Sequence, residues 1–357
     1  MMMFINSVVQ KKTEKLLRRI RWGWHMFRHG KLPGKSINAF QPLSDRDLAE
    51  IQSFFSMPKF FIFGHARSGT TLLSRLIRLH PEIHTNRLGH FFTYREGVFT
   101  LISTPAAQKW LQRPSKYWNE GEDISLKMLR SICDFILEND AKKHGKNIVG
   151  DKSNNNIING EAVTRLKLVY PDAKLIFIVR DGRDAILSQQ FRFFIELPKY
   201  LDKNGLAIRD QLADDPTPFL DGNESVFTKN SIQRMVLNWA ENVRDTHALG
   251  EKLFDSSYIS LRFEDLISEP VNVLINLWKF LGVTDINSEA EQNILQEMKR
   301  NPDARWQKEQ SSRIIDNLEK GRTGTWQKLF NERDKKVFKN LAGQELIDWD
   351  YEEDMNW

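Results

Sequence analysis

Short runs of apolar residues alternate along the chain with longer segments whose apolar positions recur at helical spacing. The strand-like runs are residues 59–63, 174–179, 257–261 and, more weakly, 147–150. Segments of helical periodicity follow at residues 70–79, 157–170, 182–194 and 271–281. Continuous apolar runs of this length are typical of strands that are buried on both faces of a sheet. The alternation therefore predicts an α/β fold with a central parallel sheet flanked by helices.

Two changes of pattern divide the chain into a basic extension and one large domain. Residues 1–57 contain a helix start at Ser44, and we expect them to form an N-terminal extension with a lead-in helix. Residues 58–357 are expected to form a single domain. Within it, two stretches fit the strand–helix alternation poorly, and we interpret them as insertions near residues 86–146 and 195–230.

Positive charge is concentrated at the N-terminus. Residues 1–35 contain nine Lys and Arg residues against the single acid Glu14, whereas the whole chain has a net charge of +5. Because this segment also carries aliphatic and aromatic residues, it is a candidate for peripheral contact with an anionic membrane surface or an acidic partner. The alternative is a solvated helix packed on the main domain. The charge comes without base-reading motifs, so no nucleic-acid partner is expected.

The remaining composition argues against several kinds of site. Cys133 is the only cysteine, so a disulfide within the chain is impossible and a cysteine-based zinc site is not expected. No apolar stretch approaches the roughly 18 residues of a membrane span, and the first residues lack the order of a secretory signal. A cytoplasmic location is therefore expected. His80 and His84 are four positions apart, but Pro81 lies between them, so no metal site is predicted.

A glycine-rich turn joins the first predicted strand to the first predicted helix, with the sequence GHARSGTT at residues 64–71. Such a turn directs backbone N–H groups and the positive helix end towards an anion. The spacing resembles the nucleotide triphosphatase P-loop and predicts a P-loop-like three-layer sandwich, but Thr70 stands where that loop has lysine. Because that lysine contacts the β- and γ-phosphates, ordinary ATP hydrolysis is disfavoured. Arg67 is the cation of the loop; the alternative is a plain turn with a surface arginine.

Two further cations follow predicted strands. Arg180 ends the clearest strand, and Ser188 lies eight positions later, about two helical turns on. If the chain reverses between them, the guanidinium and the hydroxyl converge on one oxyanion, and a fixed arginine fork suits a phosphate monoester. Lys152 ends the weaker strand candidate and is placed to reach the same face. The alternatives are an Arg180 paired with Asp181 or Asp184, and a Lys152 in water.

Together these segments resemble the family of sulfotransferases that use 3′-phosphoadenosine 5′-phosphosulfate (PAPS). Residues 67–72 (RSGTTL) are similar to the family's 5′-phosphosulfate loop, and Arg180 with Ser188 is similar to its 3′-phosphate motif. The sequences RSGTTLL and VRDGRD look more like those of the carbohydrate and tyrosyl-protein branch, in its bacterial form, than those of the cytosolic phenol-sulfating branch. The resemblance runs from about Phe60 to about Leu281.

The resemblance implies an activity, ligands and residue roles. It implies sulfuryl transfer from PAPS to a hydroxyl-bearing acceptor, with adenosine 3′,5′-bisphosphate (PAP) as product and no metal. The 5′-phosphosulfate would be bound by Arg67, Ser68, Gly69, Thr70 and Thr71. Arg180 and Ser188 would bind the 3′-phosphate. Lys152 and Arg67 would act in catalysis by stabilising charge on the sulfuryl oxygens and the leaving phosphate.

Three further roles rest on looser matches. His90 is the candidate general base and Glu96 is the second candidate, since Leu88 stands where related bacterial members often have glutamate. Arg322 lies in a segment similar to the family's late glycine-rich loop and is a candidate for cofactor binding. Trp239 either packs in the core or lies near the adenine.

The sequence leaves three classes of acceptor open: a carbohydrate, a lipid or secondary metabolite, and a peptide tyrosine. Two alternative functions also remain. One is a protein that binds PAPS without turnover, which Leu88 suggests because it stands where the base is often found. The other is a P-loop nucleotide kinase, against which Thr70 argues.

Overall fold

The structure is a computed structural model of the chain. It describes residues Thr13, Leu17, Ile20, Trp24, 39–87, 89–94, 97–114, 116–154, 160–283, 289–301 and 323–357. The chain forms two compact units, one comprising Met1–Phe55 with Glu96–Asp134 and the other comprising Ser56–Arg95 with Phe135–Trp357. The insertion expected near residues 86–146 thus contributes to both units. The division after residue 57 and the insertion near 195–230 stay predictions.

The first unit contains helix α1 (Asp45–Phe54), which begins where the sequence predicts a helix start. The Ser44 Oγ accepts a hydrogen bond from the Asp47 backbone N–H at 3.2 Å, and the Asp47 carboxylate accepts one from the Ser44 N–H at 3.1 Å. This reciprocal capping box satisfies two N–H groups that the helix itself leaves open. Cys133 is fully buried in this unit.

The second unit contains a five-stranded sheet in which every pair of neighbours is parallel, in the order β2-β3-β1-β4-β5. Its strands are β1 (Lys59–Phe63), β2 (Ile83–Arg87), β3 (Ile148–Lys152), β4 (Lys174–Val179) and β5 (Tyr258–Arg262). The weak strand candidate at 147–150 thus corresponds to β3, an interior strand that lies between β2 and β1. Since β1 pairs with β3 on one side and β4 on the other, the segments that leave these three strands emerge side by side.

Helices cover both faces of this sheet. Along β1, side chains alternate between the faces: Phe60 and Ile62 pack in a core with Trp278, whereas Phe61 contacts Tyr170 with ring centroids 4.8 Å apart. In chain order the remaining described helices of the chain are α2 (Thr70–Ile77), α3 (Thr100–Ser103), α4 (Pro105–Leu111), α5 (Ser125–Lys143), α6 (Glu161–Val169), α7 (Gly182–Ile195), α8 (Lys203–Asp214), α9 (Thr217–Leu220), α10 (Lys229–Phe254), α11 (Phe263–Ser268), α12 (Pro270–Leu281), α13 (Ala290–Arg300) and α14 (Glu332–Asp348). Of these, α3, α4 and the start of α5 belong to the first unit. The predicted α/β three-layer sandwich with a parallel sheet is confirmed.

Two further expectations are decided by packing. Trp239 is completely buried on α10, with its ring 5.6 Å from that of Phe338, so it is a core residue. The helix predicted at 70–79 ends at Ile77, two residues early. Within the described residues, no helix combines the length and the apolar content that a membrane crossing requires.

The close approach of β1 and β3 depends on Gly150. A β-carbon at this position would lie 2.6 Å from the Phe60 backbone oxygen and from two atoms of its ring. We expect Gly150→Ala to force the two strands apart and to lower the free energy of unfolding by about 1–3 kcal/mol. Chemical denaturation measures the change. The control is Gly205→Ala in α8, where the nearest contact is 3.2 Å away in the flexible side chain of Leu201; an equal loss there would contradict the packing explanation.

Candidate functional site

The turn between β1 and α2 follows a path that requires glycine at both ends. A β-carbon on Gly64 would lie 2.8 Å from the Ile178 carbonyl oxygen. Gly69 has a φ of +87°, and a β-carbon there would overlap the Phe263 ring. Gly69 is also the N-cap of α2, and it offers no side chain to the open N–H groups of the first turn. An anion is the natural partner for such a helix start.

Ser68 adds a second polar group beside this helix start. Its side chain is fully buried, and among the residues described its Oγ has no hydrogen-bond partner. A buried hydroxyl without a partner costs about 1–3 kcal/mol. An anion oxygen at the start of α2 would satisfy both the hydroxyl and the helix N–H groups. The residues present therefore fit a bound phosphate or sulfate group.

A lysine reaches the start of α2 from the neighbouring strand. Lys152 is the last residue of β3, it is buried, and its Nζ donates to the Thr71 Oγ1 at 2.9 Å. Thr70 occupies the position of the P-loop lysine, and its hydroxyl donates to the Asn154 Oδ1 at 2.8 Å. The parallel pairing of Ile62 with Lys152 brings this lysine to the turn. The positive charge missing at position 70 is thus supplied from β3.

Arg67, Arg180 and Ser188 meet on the other side of the turn. The Arg67 Nε donates to the Ser188 Oγ at 3.1 Å, although the two residues are 121 positions apart. The Arg180 Nη1 donates to the Arg67 carbonyl oxygen at 3.2 Å, and its guanidinium lies 4.9 Å from the centroid of the Phe263 ring. The residues predicted separately as a 5′-site and a 3′-site therefore form one connected cluster.

His65 adds no charge to this cluster. Its side chain is buried, and burial lowers the pKa of the imidazole to about 4. At neutral pH the ring is uncharged, and its Nδ1 lies 3.0 Å from the Ala66 carbonyl oxygen. The positive charge at this edge of the sheet comes instead from Arg67, Lys152 and Arg180.

The first turn of α7 forms hydrogen bonds with a segment about 140 positions later in the chain. The Asp184 carboxylate accepts hydrogen bonds from the backbone N–H groups of Gly324 at 2.7 Å and Trp326 at 3.0 Å. Burial raises the pKa of Asp184, and the positive charge of Arg180 opposes that shift. The end of the late glycine-rich segment is therefore held next to the cluster. Arg322, predicted in this segment, lies outside the described residues.

His90 lies on a turn that is fixed by β3. It has a φ of +49°, a conformation that is strained for a residue other than glycine, and its backbone N–H donates to the Ser153 Oγ at 2.8 Å. The Asp151 carboxylate accepts from this same hydroxyl and from the Gly89 N–H. Asp151, Ser153 and the turn thus form one hydrogen-bonded unit beside Lys152.

The imidazole of His90 is held on two sides. Its Nδ1 lies 2.8 Å from the Thr93 Oγ1, and its ring stacks on that of Tyr94 with centroids 4.0 Å apart. Burial lowers the pKa of His90, and the charge of Lys152 lowers it further. The ring is therefore mainly neutral at pH 7, which is the form that accepts a proton. Glu96 and Leu88 lie outside the described residues.

Sequence reasoning did not identify the residues that hold this turn. Asp151 is buried, and burial raises its pKa to about 6 although Ser153 and Gly89 donate to it. A β-carbon on Gly89 would lie 2.5 Å from the Asp151 Oδ1, so glycine is required there. The available signal was the sequence Gly150-Asp151-Lys152-Ser153, where polar residues end an apolar strand.

Comparison with known proteins connects this geometry to a family. Residues 58–287 match the model of the sulfotransferase family. A protein-tyrosine sulfotransferase of Drosophila melanogaster is 32% identical over 136 residues, which cover 37% of this chain and 25% of that protein. The match thus spans a quarter of the relative's length.

Solved structures of similar fold include two that contain PAP. The mouse sulfotransferase SULT7A1 complexed with PAP has a TM-score of 0.45 and 17% identity, over 86% of this chain and 92% of that one. Retinol dehydratase in a complex with retinol and PAP has a TM-score of 0.41 and 17% identity, over 86% and 87%. Since the family model covers well over half of the 357 residues, and includes both cation-bearing segments of the site, this chain belongs to the sulfotransferase family.

Proposed function

We propose that this sulfotransferase uses PAPS as its donor and transfers the sulfuryl group to a hydroxyl of its acceptor, leaving PAP. The observation that carries the proposal is the cluster at the turn before α2: Lys152 contacts Thr71, Arg67 contacts Ser188 and Arg180 contacts the Arg67 carbonyl. In the same turn the buried Ser68 hydroxyl has no partner among the described residues. Several positive charges and open N–H groups converge there on a space suited to anions.

The donor's two phosphate positions are assigned to opposite sides of the turn. The N–H groups from Ser68 to Thr71, with the Ser68 hydroxyl, would bind the 5′-phosphosulfate. Arg180 and Ser188 would bind the 3′-phosphate, which is the group that distinguishes PAPS from ATP. The Ser188 hydroxyl also accepts a hydrogen bond from the Arg67 Nε.

Arg67 and Lys152 would stabilise negative charge as the group is transferred. PAPS, when bound, supplies the sulfuryl group and a 5′-phosphate that leaves with the bonding electron pair. Lys152 is buried, and in such a site a fixed cation stabilises developing charge more strongly than in water. Arg67 lies at the end of the turn that faces Ser188.

His90 would accept the proton of the acceptor hydroxyl. If its Nδ1–H donates to Thr93, its Nε2 carries the lone pair. The stacked Tyr94 ring and the strained backbone fix the direction of that lone pair. The lowered pKa keeps the imidazole neutral, and therefore able to act as a base, at pH 7.

The two alternative functions differ from this proposal in what they require. A nucleotide kinase has no use for an arginine and a serine placed to bind a 3′-phosphate. A PAPS-binding protein without turnover needs no base, whereas His90 is held in one orientation beside Lys152.

The acceptor carries a hydroxyl, and a screen of tyrosyl peptides, carbohydrates and lipid or secondary-metabolite alcohols would identify its class. The cytoplasmic location stays a prediction from the sequence.

The N-terminal segment is proposed to contact an anionic membrane surface. Leu17, Ile20 and Trp24 are helical, are spaced three and four residues apart, and are exposed by 62%, 60% and 62%. Residues at this spacing share one face of a helix. They stand within a segment that has nine basic residues in its first 35 positions. An apolar face and basic charge together favour the surface of an anionic bilayer.

Binding of PAP tests the assignment of the donor site. We expect the wild type to bind PAP more tightly than Mg²⁺–ATP in isothermal titration calorimetry. Arg180→Ala should weaken PAP binding about ten- to a hundredfold, because it removes a charge-assisted contact worth about 1.5–3 kcal/mol. Arg192→Ala, which removes a half-exposed arginine near the end of α7, the helix that follows Arg180, is the control and should leave the affinity unchanged.

Tighter binding of Mg²⁺–ATP than of PAP would overturn the proposed donor. Arg180 also contacts the turn, so its loss could disturb the fold. Ser188→Ala tests the same phosphate position without removing that contact. It should weaken PAP binding several-fold and leave the thermal stability unchanged.

The pH dependence of transfer tests His90 as the base. Because burial and Lys152 lower its pKa, the acidic limb of kcat should lie below the ordinary histidine value of 6.5. Activity should fall as the pH drops through this limb, since protonated His90 cannot accept a proton. Lys152→Gln should lower kcat and also move the limb to higher pH. His90→Ala should lower kcat by about 10²–10⁴-fold. His247→Ala is the control and should leave kcat unchanged. Full activity in His90→Ala would assign the base to another residue.

Sedimentation with lipid vesicles tests the membrane contact. We expect the full chain to sediment with vesicles that contain anionic lipid and to remain in solution with neutral vesicles. Binding should weaken at high salt, because the basic residues contribute by attraction that salt screens. Trp24→Ser should reduce binding, whereas Leu237→Ser, at an exposed apolar site on α10, should not. Equal binding to both kinds of vesicle would contradict the proposal.

A further inference from the structure

A second cation-lined cavity lies in the same unit as the catalytic site. Its volume is about 440 Å³. The ionisable side chains that give it a basic character are Arg75, Arg78, His84, His144, Lys146 and Arg300. Cavities of about 300–1,000 Å³ are of the size that binds small organic ligands.

The cavity lies away from the donor site. Arg75 and Arg78 are at the C-terminal end of α2, whereas Thr70 and the glycine-rich turn are at its start. The helix has eight residues and is therefore about 12 Å long. His84 is near the beginning of β2, so the cavity is at the edge of the parallel sheet where strands start. The donor site is at the edge where strands end, and one molecule the size of PAP does not fill both.

The cavity carries net positive charge. Arg75 is buried and pairs with Glu297, which is the single acid among the described lining residues. Arg78, Lys146 and Arg300 add three further cations, and the Asp140 carboxylate beside His84 offsets one of them. The Lys146 ammonium is positioned by a hydrogen bond of 2.6 Å to the Pro81 carbonyl oxygen. Together these groups are placed as partners for an anion.

His84 lies close to this positive charge. The His84 Nε2 lies 2.7 Å from the Asp140 Oδ2, a contact that by itself raises the pKa of a histidine. The pKa of His84 is nevertheless lowered, by burial first and by the nearby charges of His144 and Arg78 as well. The same positive charge favours anions in the cavity and disfavours cations.

A metal ion is the competing occupant. His84, Asp140 and His144 offer ligand atoms that lie within 4.8 Å of one another. The two imidazoles, however, are stacked at 18° with centroids 4.5 Å apart, so their in-plane lone pairs run side by side and do not converge. The arginines and the lysine that line the cavity also oppose a divalent cation. Geometry and charge both favour an anion.

We propose that this cavity binds a small organic polyanion that carries phosphate or sulfate esters. Its arginines offer planar forks that suit such groups, and its net charge requires more than one negative charge to balance it. A free nucleotide and a sulfated saccharide share this chemistry. The site is separate from the proposed donor site, and it gives the enzyme a second place to bind a phosphorylated or sulfated compound.

The experiment isolates this cavity by using Arg180→Ala, which weakens the donor site, as the background. Calorimetry at low salt measures the binding of PAP and, separately, of a trisulfated disaccharide. We expect one equivalent of at least one probe to bind the background variant. Addition of Arg300→Ala or Arg78→Gln should weaken that binding at least tenfold. Binding of PAP alone assigns a nucleotide, and binding of the disaccharide alone assigns a sulfated saccharide.

The control removes a neighbouring charge that does not line the cavity. Lys142 is an exposed residue of α5 that pairs with Glu138, and Lys142→Ala in the same background should leave the affinity unchanged. Arg300 is exposed on α13, so Arg300→Ala preserves the fold if Arg78→Gln does not. In the otherwise wild-type chain, Arg300→Ala should leave PAP binding at the donor site intact.

Three results would overturn the proposal. The first is that neither probe binds the Arg180→Ala variant. The second is an equal loss of binding in Lys142→Ala, which shows general attraction to basic surface. The third is stoichiometric binding of Zn²⁺ that is abolished by His84→Ala, which assigns the cavity to a metal. If PAP fails to bind the wild type at its donor site while a probe binds the cavity, the donor proposal alone fails.

Discussion

Parallel pairing of β1 with β3 and with β4 is the constraint on which the candidate site depends. The register of these strands brings Lys152 level with Ile62 and Phe177 level with Phe63. The segments that follow the three strands therefore leave the sheet at one edge, and each brings a cation. Since backbone hydrogen bonds across a buried sheet fix the register, the spacing of these charges is as rigid as the sheet itself. Glycine at position 150 permits this close packing.

The cations of this cluster are held by polar and aromatic neighbours within the fold. Arg180 has the Arg67 carbonyl oxygen and the Phe263 ring as neighbours, and its charge lowers the pKa of Asp184 against the effect of burial. Thr71 accepts from Lys152. These contacts hold the positively charged side chains in place although the charges repel one another. Preorganised charge of this kind is the main source of catalytic power in many enzymes, because no reorganisation is needed during the reaction.

His90, the proposed base, and Lys152, the proposed charge-stabilising residue, are held by the same short segment. Asp151 supports the turn that bears His90, while Lys152, the next residue, points to the start of α2. Neighbouring residues of a strand face opposite sides of the sheet, so one strand end serves two parts of the site. The charge of Lys152 also lowers the pKa of His90. The base and the cation are therefore coupled electrostatically as well as through the backbone.

The sequence by itself determined the α/β class, the position of the glycine-rich turn, and the cations Arg67, Lys152 and Arg180. These follow from local pattern, because apolar runs and turn residues report on burial and backbone geometry at each position. The sequence also determined the helix start at Ser44, where two side chains cap their own backbone.

Only the tertiary structure decided which of these residues meet. Arg67 and Ser188 are 121 positions apart, and their contact depends on strand order, which no local pattern encodes. The structure alone showed that β3 supplies the lysine absent at position 70, that Asp151 supports the His90 turn, and that a basic cavity lies at the opposite edge. Each of these depends on non-local packing, and non-local contacts are chosen by the free energy of the whole fold, not by neighbours in sequence.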